Sequence, residues 1–297
     1  MNSADDQQLT VVPLMATGGR LPATSSGDGS VVAASQPSRS TAGSSDRPLL
    51  TLDGLECSFG GVKAVAGASF DVYPGRITGL IGPNGAGKST VINVVGCQIK
   101  PSAGDIQFRG ESLVGRSPEW AARHGIARTF QTARLFGRMT VTENLLLGPL
   151  PYFAESLRSA LLGKWSWKRA EASRVDQAKQ LLERFDMFNH RNEYAANLSG
   201  GQKRLVEIMR ALMSRPASLL LDEPMAGVAP AMSRRIAKDL LALRDEGLTM
   251  LLIEHELPLV DLLCDPVIVM VTGRILAEGT LQELRQNEEV VRAYLAD

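Results

Sequence analysis

Gly82-Pro83-Asn84-Gly85-Ala86-Gly87-Lys88-Ser89-Thr90 is the stretch on which the reading of this chain turns. An apolar, β-prone run, Ile77-Thr78-Gly79-Leu80-Ile81, leads into it, and Thr90 to Val95 continues as a helix start. Strand, glycine loop and helix form the setting that the pattern GxxxxGK[ST] requires. Glycines let backbone N–H groups wrap phosphate oxygens, and the helix N-terminus adds partial positive charge. Lys88 then places a full charge on the β- and γ-phosphates. Ser89 offers a hydroxyl to Mg²⁺, a hard cation that prefers oxygen ligands. The stretch predicts an α/β fold around a buried parallel sheet, with a nucleoside triphosphate site at its edge.

Two later runs end in polar residues suited to the same site. Leu219-Leu220-Leu221 reads as a buried strand and ends in Asp222-Glu223, followed by Pro224. Ligands in open α/β sheets sit beyond the carboxyl ends of the strands. There Asp222 is expected to hold Mg²⁺, directly or through water, and Glu223 to polarise the attacking water. Neighbouring residues of a strand face opposite ways, so the two roles separate only if the backbone turns at this point. A third apolar run, Leu248 to Ile253, ends in Glu254-His255, and His255 at such a strand end is placed to contact a γ-phosphate. A second Gly-rich segment, Leu198-Ser199-Gly200-Gly201-Gln202, precedes another helix-like pattern.

Together these residues resemble the ATP-binding cassette ATPases from about Leu49 to Asp297. The resemblance implies a P-loop NTPase (RecA-like) parallel-sheet core with an antiparallel β subdomain and an α-helical signature subdomain over about 132–210. It implies that Ser199, Gly200, Gly201 and Gln202 form the family signature and contact the ATP of another subunit. Gln131 corresponds to the glutamine that reaches Mg²⁺ and the membrane partner, His255 to the switch histidine, and Phe59 to the aromatic that stacks on adenine, as a flat π-face can. The implied machine is a dimer with a sister ATPase or with itself, docked on membrane permease subunits at the cytoplasmic face of the inner membrane and fed by a substrate-binding protein. Phe59 to Val65, Arg128-Thr129-Phe130-Gln131, Asp222 to Gly227, Ile253-Glu254-His255 and Val290 to Leu295 are similar to the ATPases of branched-chain amino acid importers. The lipopolysaccharide-export ATPase is the next nearest likeness, and a non-transport cassette protein a more distant one. One place departs from the family pattern. Ala229 stands where an acidic or amide residue normally reaches across to the partner's site, which removes a polar contact there.

Composition agrees with this class. The 297 residues are 44% hydrophobic, enough for a sizeable core, and 32 basic residues balance 32 acidic ones. Zero net charge argues against a nucleic-acid partner held by bulk charge. Cys57, Cys97 and Cys264 are far apart, without the spacing of a zinc site or disulfide framework. No apolar run approaches the roughly 20 residues of a membrane span. Residues 1–47 are rich in Ser, Ala, Thr and Gly, lack the pattern of a secretory signal, and are expected to form a disordered tail, with the folded cassette at 48–297.

Smaller features follow from pattern. Pro48 to Arg76 and Ile106–Arg109 read as short antiparallel strands. Val175, Ala178, Leu181, Leu182 and Phe185 recur at helical spacing and are expected to form one apolar face. Tyr152, Phe153, Trp165 and Trp167 lie beside Lys164, Lys168 and Arg169, a mixture that suits packing of an extra helix and, less well, a membrane surface. Val267–Val271 and Arg274–Glu278 read as a hairpin turning at Thr272-Gly273, and Thr280 with Glu283 has capping-box spacing.

Overall fold

The middle strands of the central sheet are five-residue apolar runs whose alternate side chains serve two different cores. In the computed structural model, which describes residues 47–129, 135–147 and 164–295 (backbone only for 164–170 and 295), the order in this sheet is β10-β9-β3-β8-β7-β6. Its strands are β3 (Ile77–Ile81), β6 (Ile126–Arg128), β7 (Ser218–Asp222), β8 (Thr249–Ile253), β9 (Val267–Val271) and β10 (Arg274–Gly279). All neighbours are parallel except the β9–β10 hairpin. Strands of a parallel sheet are covered on both faces, and β3, β7 and β8 are buried at every position. Leu219 and Leu221, Met250 and Leu252, and Val267 and Val269 point into one core. Leu220, Leu251, Ile268 and Met270 point into the other.

The first core lies under α5 (Gly200–Leu212), α6 (Pro230–Asp245) and α7 (Leu257–Leu263), which contribute residues such as Val206, Ile236 and Val260. The second joins α1 (Lys88–Val95) to a separate antiparallel sheet of β1 (Leu50–Phe59), β2 (Val62–Val72), β4 (Ala103–Phe108) and β5 (Glu111–Ser112), ordered β2-β1-β4-β5. The expected antiparallel strands are therefore present and sit against the parallel-sheet core.

The remaining helices are α2 (Pro118–Arg123), α3 (Val141–Leu146), α4 (Lys164–Arg184), α8 (Leu281–Leu284) and α9 (Glu288–Val290), the last followed by a π-helical turn at Val291–Leu295. Among them α4 carries the expected amphipathic pattern with one correction. Ala178 and Leu182 are buried, and so is Phe185 just past the helix end, but Val175 is 43% exposed. Val175 lies three residues before Ala178, toward the start of the helix, and Gln177 beside Ala178 donates to the Met213 carbonyl. The hairpin turn holds as expected, with Thr272 and Gly273 both at positive φ, the requirement of the tight turn that matches strand twist. Thr280 and Glu283 form a reciprocal capping box.

Several expectations fall outside the described residues: residues 1–46 of the proposed tail, Gln131, Tyr152 and Phe153, and the side chains of Trp165 and Trp167.

Candidate nucleotide site

Beyond the carboxyl end of β3 the chain turns through a loop that only glycine permits at two places. Gly82 has φ 146° and Gly87 φ 103°. A Cβ on Gly82 would overlap the Met270 carbonyl oxygen, and one on Gly87 the Ala64 carbonyl oxygen. The loop is thus pressed between β9 and β2. Hydrogen bonds fix it there: Gly273 N–H donates to the Ala86 carbonyl at 2.9 Å, and Ala66 N–H to the Gly273 carbonyl at 2.8 Å. Asn84 and Gly85 remain exposed at the tip, while Pro83, Gly87 and Thr90 are half-buried.

Gly87 is the N-cap of α1 and provides no side-chain cap. The first amides of α1 are therefore open to an incoming acceptor, the arrangement that binds phosphate oxygens. Lys88 is buried, and its Nζ donates to the carbonyls of Gly82 at 2.7 Å and Pro83 at 2.9 Å. Burial holds its pKa below the usual lysine value, while Glu223 and Asp222 draw it back up.

The two carboxylates at the end of β7 separate as the sequence requires. Asp222 is the last strand residue, and Glu223 adopts φ 49°, a left-handed backbone that non-glycine residues rarely take. Its N–H donates to the Ile253 carbonyl at 3.0 Å, so the turn is tied to β8. Asp222 Oδ1 accepts from Ser89 Oγ at 3.4 Å, and Oδ2 lies 3.4 Å from Arg128 Nη2. Burial raises the Asp222 pKa, Arg128 lowers it and Glu223 raises it again. Glu223 Oε1 lies 2.6 Å from His255 Nε2. Lys88, Ser89, Asp222, Glu223 and His255 thus converge at one edge of the sheet.

Such a donor set suits Mg²⁺. Ser89 and Asp222 present hard oxygens side by side, and Mg²⁺ completes an octahedron with phosphates and water instead of an all-protein cage.

Phe59 ends β1, is 48% exposed, and sits on the hairpin whose other strand borders Gly87 through Ala64. The second Gly-rich segment lies elsewhere. Ser199 caps α5 in a reciprocal box with Gln202, accepting from its N–H at 3.3 Å and donating its own to Oε1 at 2.9 Å. Gly201 is packed so closely on Met232 of α6 that a Cβ would displace that side chain.

Pattern reading missed three residues around these sites. Arg128 links Asp222 to Asn93 and Gln98, at 2.5 and 2.9 Å from their side-chain oxygens. His190 places Nε2 3.2 Å from Gln202 Nε2. Glu254 is only 3% exposed, and its Oε2 is buried with no hydrogen-bond partner among the described residues. None has a sequence signal of its own, because each acquires its setting through sheet order or a loop closure.

Comparison with known proteins agrees with this geometry. The sequence pattern of the ABC transporter family matches residues 65–226. The high-affinity branched-chain amino acid transport ATP-binding protein LivG of Escherichia coli strain K12 is 41% identical over 252 residues, 84% of this chain and 99% of that protein. The probable branched-chain amino acid transport ATP-binding protein LivG of Methanocaldococcus jannaschii is 39% identical over 253 residues, 84% of this chain and 98% of the relative. A crystal structure of the ADP conformation of an ATP-binding cassette superposes with a TM-score of 0.72 at 37% identity, covering 84% of this chain and all of the other. A nucleotide-free cassette gives 0.70 at 38% identity, over 84% and 96% of the two chains. With a phosphate loop, two strand-end carboxylates, a facing histidine and relatives aligned over nearly their whole length, the chain belongs to the ABC transporter family of ATP-binding cassette proteins.

Proposed function

We propose that this chain is the ATP-hydrolysing subunit of an importer for branched-chain or related hydrophobic amino acids. The observation that carries the ATPase reading is the convergence of Lys88, the Ser89–Asp222 oxygens and the Glu223–His255 pair on one sheet edge. In this reading the loop amides and Lys88 hold the β- and γ-phosphates, Ser89 and Asp222 hold Mg²⁺ with Gln131, and Phe59 stacks on adenine. Glu223 orients and polarises the attacking water. His255, in contact with Glu223, senses the γ-phosphate on the other side. The importer reading rests on the relatives named above, since the ATPase itself does not touch the cargo.

Each ATP is completed by the Ser199–Gln202 segment of a second ATPase, a sister chain or another copy. Closure on ATP and reopening after hydrolysis then form a two-state switch. A surface for the membrane partner is available beside β6. A cavity of about 350 Å³ opens between α2, β6 and α5, lined among others by Arg128, Phe136, Leu147, Glu207 and Arg210. Phe136 and Leu147 are exposed there. No helix among the described residues is long and apolar enough to cross a membrane, so anchoring to the cytoplasmic face of the inner membrane falls to permease subunits.

Two variants test the chemistry. Lys88→Ala is expected to abolish ATP binding. Glu223→Gln is expected to keep binding and lower turnover by about 100-fold or more, measured as phosphate release from the complex. Near-parent turnover in Glu223→Gln overturns the assignment of the base.

A further inference from the structure

We propose that His190 is a positioning residue for the signature, holding the Gln202 side chain so that Ser199–Gln202 keeps the shape it presents to the ATP of a second subunit. This role rests on the two-subunit reading above and adds to it a residue that touches neither phosphate nor Mg²⁺.

The protons of the contact follow from its neighbours. Ser199 N–H can only donate, and its partner 2.9 Å away is Gln202 Oε1. The other end of that amide is therefore the NH₂ group, which also only donates. It lies 3.2 Å from His190 Nε2. That ring nitrogen must be the bare one, an acceptor, and the ring proton sits on Nδ1. Nδ1 lies 3.0 Å from Glu193 Oε1, a carboxylate oxygen that accepts from it. The bond made by one ring nitrogen thus fixes what the other can do. Ser199, Gln202, His190 and Glu193 form one directional chain in which every donor faces an acceptor. Turning the Gln202 amide over sets two donors against each other at Ser199, and moving the ring proton to Nε2 does the same at Gln202. The terminal torsion of a Gln side chain is soft, so the capping bond alone leaves the amide free to turn. His190 supplies the second anchor.

His190 is itself held from outside the signature helix. It ends a 3₁₀ turn, Phe188–His190, shortly after α4. Glu193 N–H donates to the His190 carbonyl at 2.9 Å, which closes the loop carrying both members of the pair. The start of α3 then grips that loop. Val141 N–H donates to the Glu193 carbonyl at 2.9 Å, and Thr142 N–H to the Arg191 carbonyl at 3.0 Å. The Thr142 hydroxyl donates to the same Arg191 carbonyl at 2.9 Å. The Arg191 guanidinium lies over the Phe188 ring, 4.3 Å from its centroid. Gln202 is therefore referenced to α3 through His190 as well as to Ser199 through its own cap.

The test uses the full chain in its transporter complex for turnover, and the isolated chain for ATP affinity and ATP-driven pairing. His190→Leu removes the acceptor and strands one Gln202 N–H. It is expected to lower turnover and weaken pairing about 5- to 30-fold, with ATP affinity of the isolated chain close to the parent value. His190→Gln can turn an amide oxygen to Gln202 and an amide N–H to Glu193, in the order of the two ring nitrogens. It is expected to recover most of the loss, whereas a ring that only filled space would be replaced as well by Leu. The chain has three histidines, so nitrogen-15 NMR in mildly alkaline buffer can read the tautomer. The signals lost in His190→Gln should be those of a ring protonated at Nδ1 with Nε2 bare. Glu193→Ala releases the Nδ1 proton and is expected to let the Nε2–H form appear, with turnover falling in step. An Nε2-protonated ring in the parent, parent-like turnover and pairing in His190→Leu, or a His190→Gln no better than His190→Leu overturns the role. Loss of ATP affinity in the isolated His190→Leu chain as large as its loss of pairing overturns it too. The parent spectrum decides even where a variant fails to fold. Ser199→Arg run in the same assays scores the two-subunit site separately: if pairing fails there while the His190 variants are silent, only the role of His190 falls.

Discussion

At the scale of single residues, the site is a set of charges held in an apolar sheet edge, and Glu254 shows how much that placement costs. Burial, with Glu256 and Glu223 nearby, raises its pKa to about 7, from 4.5 for a free side chain. A carboxyl whose folded pKa lies above its unfolded value binds more protons in the native state at intermediate pH. Its contribution to stability is thus fully present below about pH 4.5 and is lost as pH rises through about 7. Glu254→Gln removes the titration. The variant is expected to lose the decline in stability between pH 5 and 7 that the parent shows, a difference on the order of 3 kcal/mol in chemical denaturation at pH 8 relative to pH 4.5. A parallel pair of curves would refute it. Glu223 is costly in a different way: its left-handed backbone separates it from Asp222, and the bond from its N–H to Ile253 holds that conformation.

At the scale of elements, what was legible and what was not divides along a physical line. Strands of the central sheet could be read because burial on both faces forces unbroken apolar runs, as in Leu219–Leu221 and Leu248–Ile253. The loop at Gly82–Gly87 could be read because its backbone leaves no alternative to glycine. The Thr272-Gly273 turn and the Thr280–Glu283 cap could be read because their chemistry is local. Val175 misled because periodicity assigns a face without knowing where the neighbouring helices stop. Arg128 meets Asp222 only because β6 lies beside β7, and no local pattern encodes that meeting. Ala229 combines both kinds of information. It departs from the family pattern, and it is the N-cap of α6 without a side-chain cap. Ala229→Asp is expected to cap the exposed amides and favour the positive end of the helix, adding about 1 kcal/mol. That corresponds to a rise in Tm of about 2–4 °C for a chain of this size, readable by thermal unfolding. A Tm unchanged or lowered would show that Asp cannot reach those amides.

At the scale of the whole molecule, the chain offers one phosphate loop and one signature on different elements. The loop lies between β2, β9 and α1. The signature opens α5 and is packed through Gly201 onto Met232 of α6. Ser199–Gln202 has its own complete capping box, so its conformation does not depend on the nucleotide of the same chain. A segment whose shape is fixed by its own cap suits a role on the ATP of a second subunit. This arrangement separates two quantities that a self-contained site would lose together. Ser199→Arg adds bulk and charge at the signature. It is expected to abolish ATP-driven pairing and to lower turnover about 100-fold or more, as removal of a transition-state phosphate contact does. Binding of ATP to the isolated chain depends on the Lys88 loop and should stay far less affected. Sedimentation with ATP and a direct binding titration on the same variant measure the two effects. If affinity in the isolated chain collapses along with pairing, the signature serves its own loop and the two-subunit site is wrong. If pairing survives, the closing contact lies outside Ser199–Gln202.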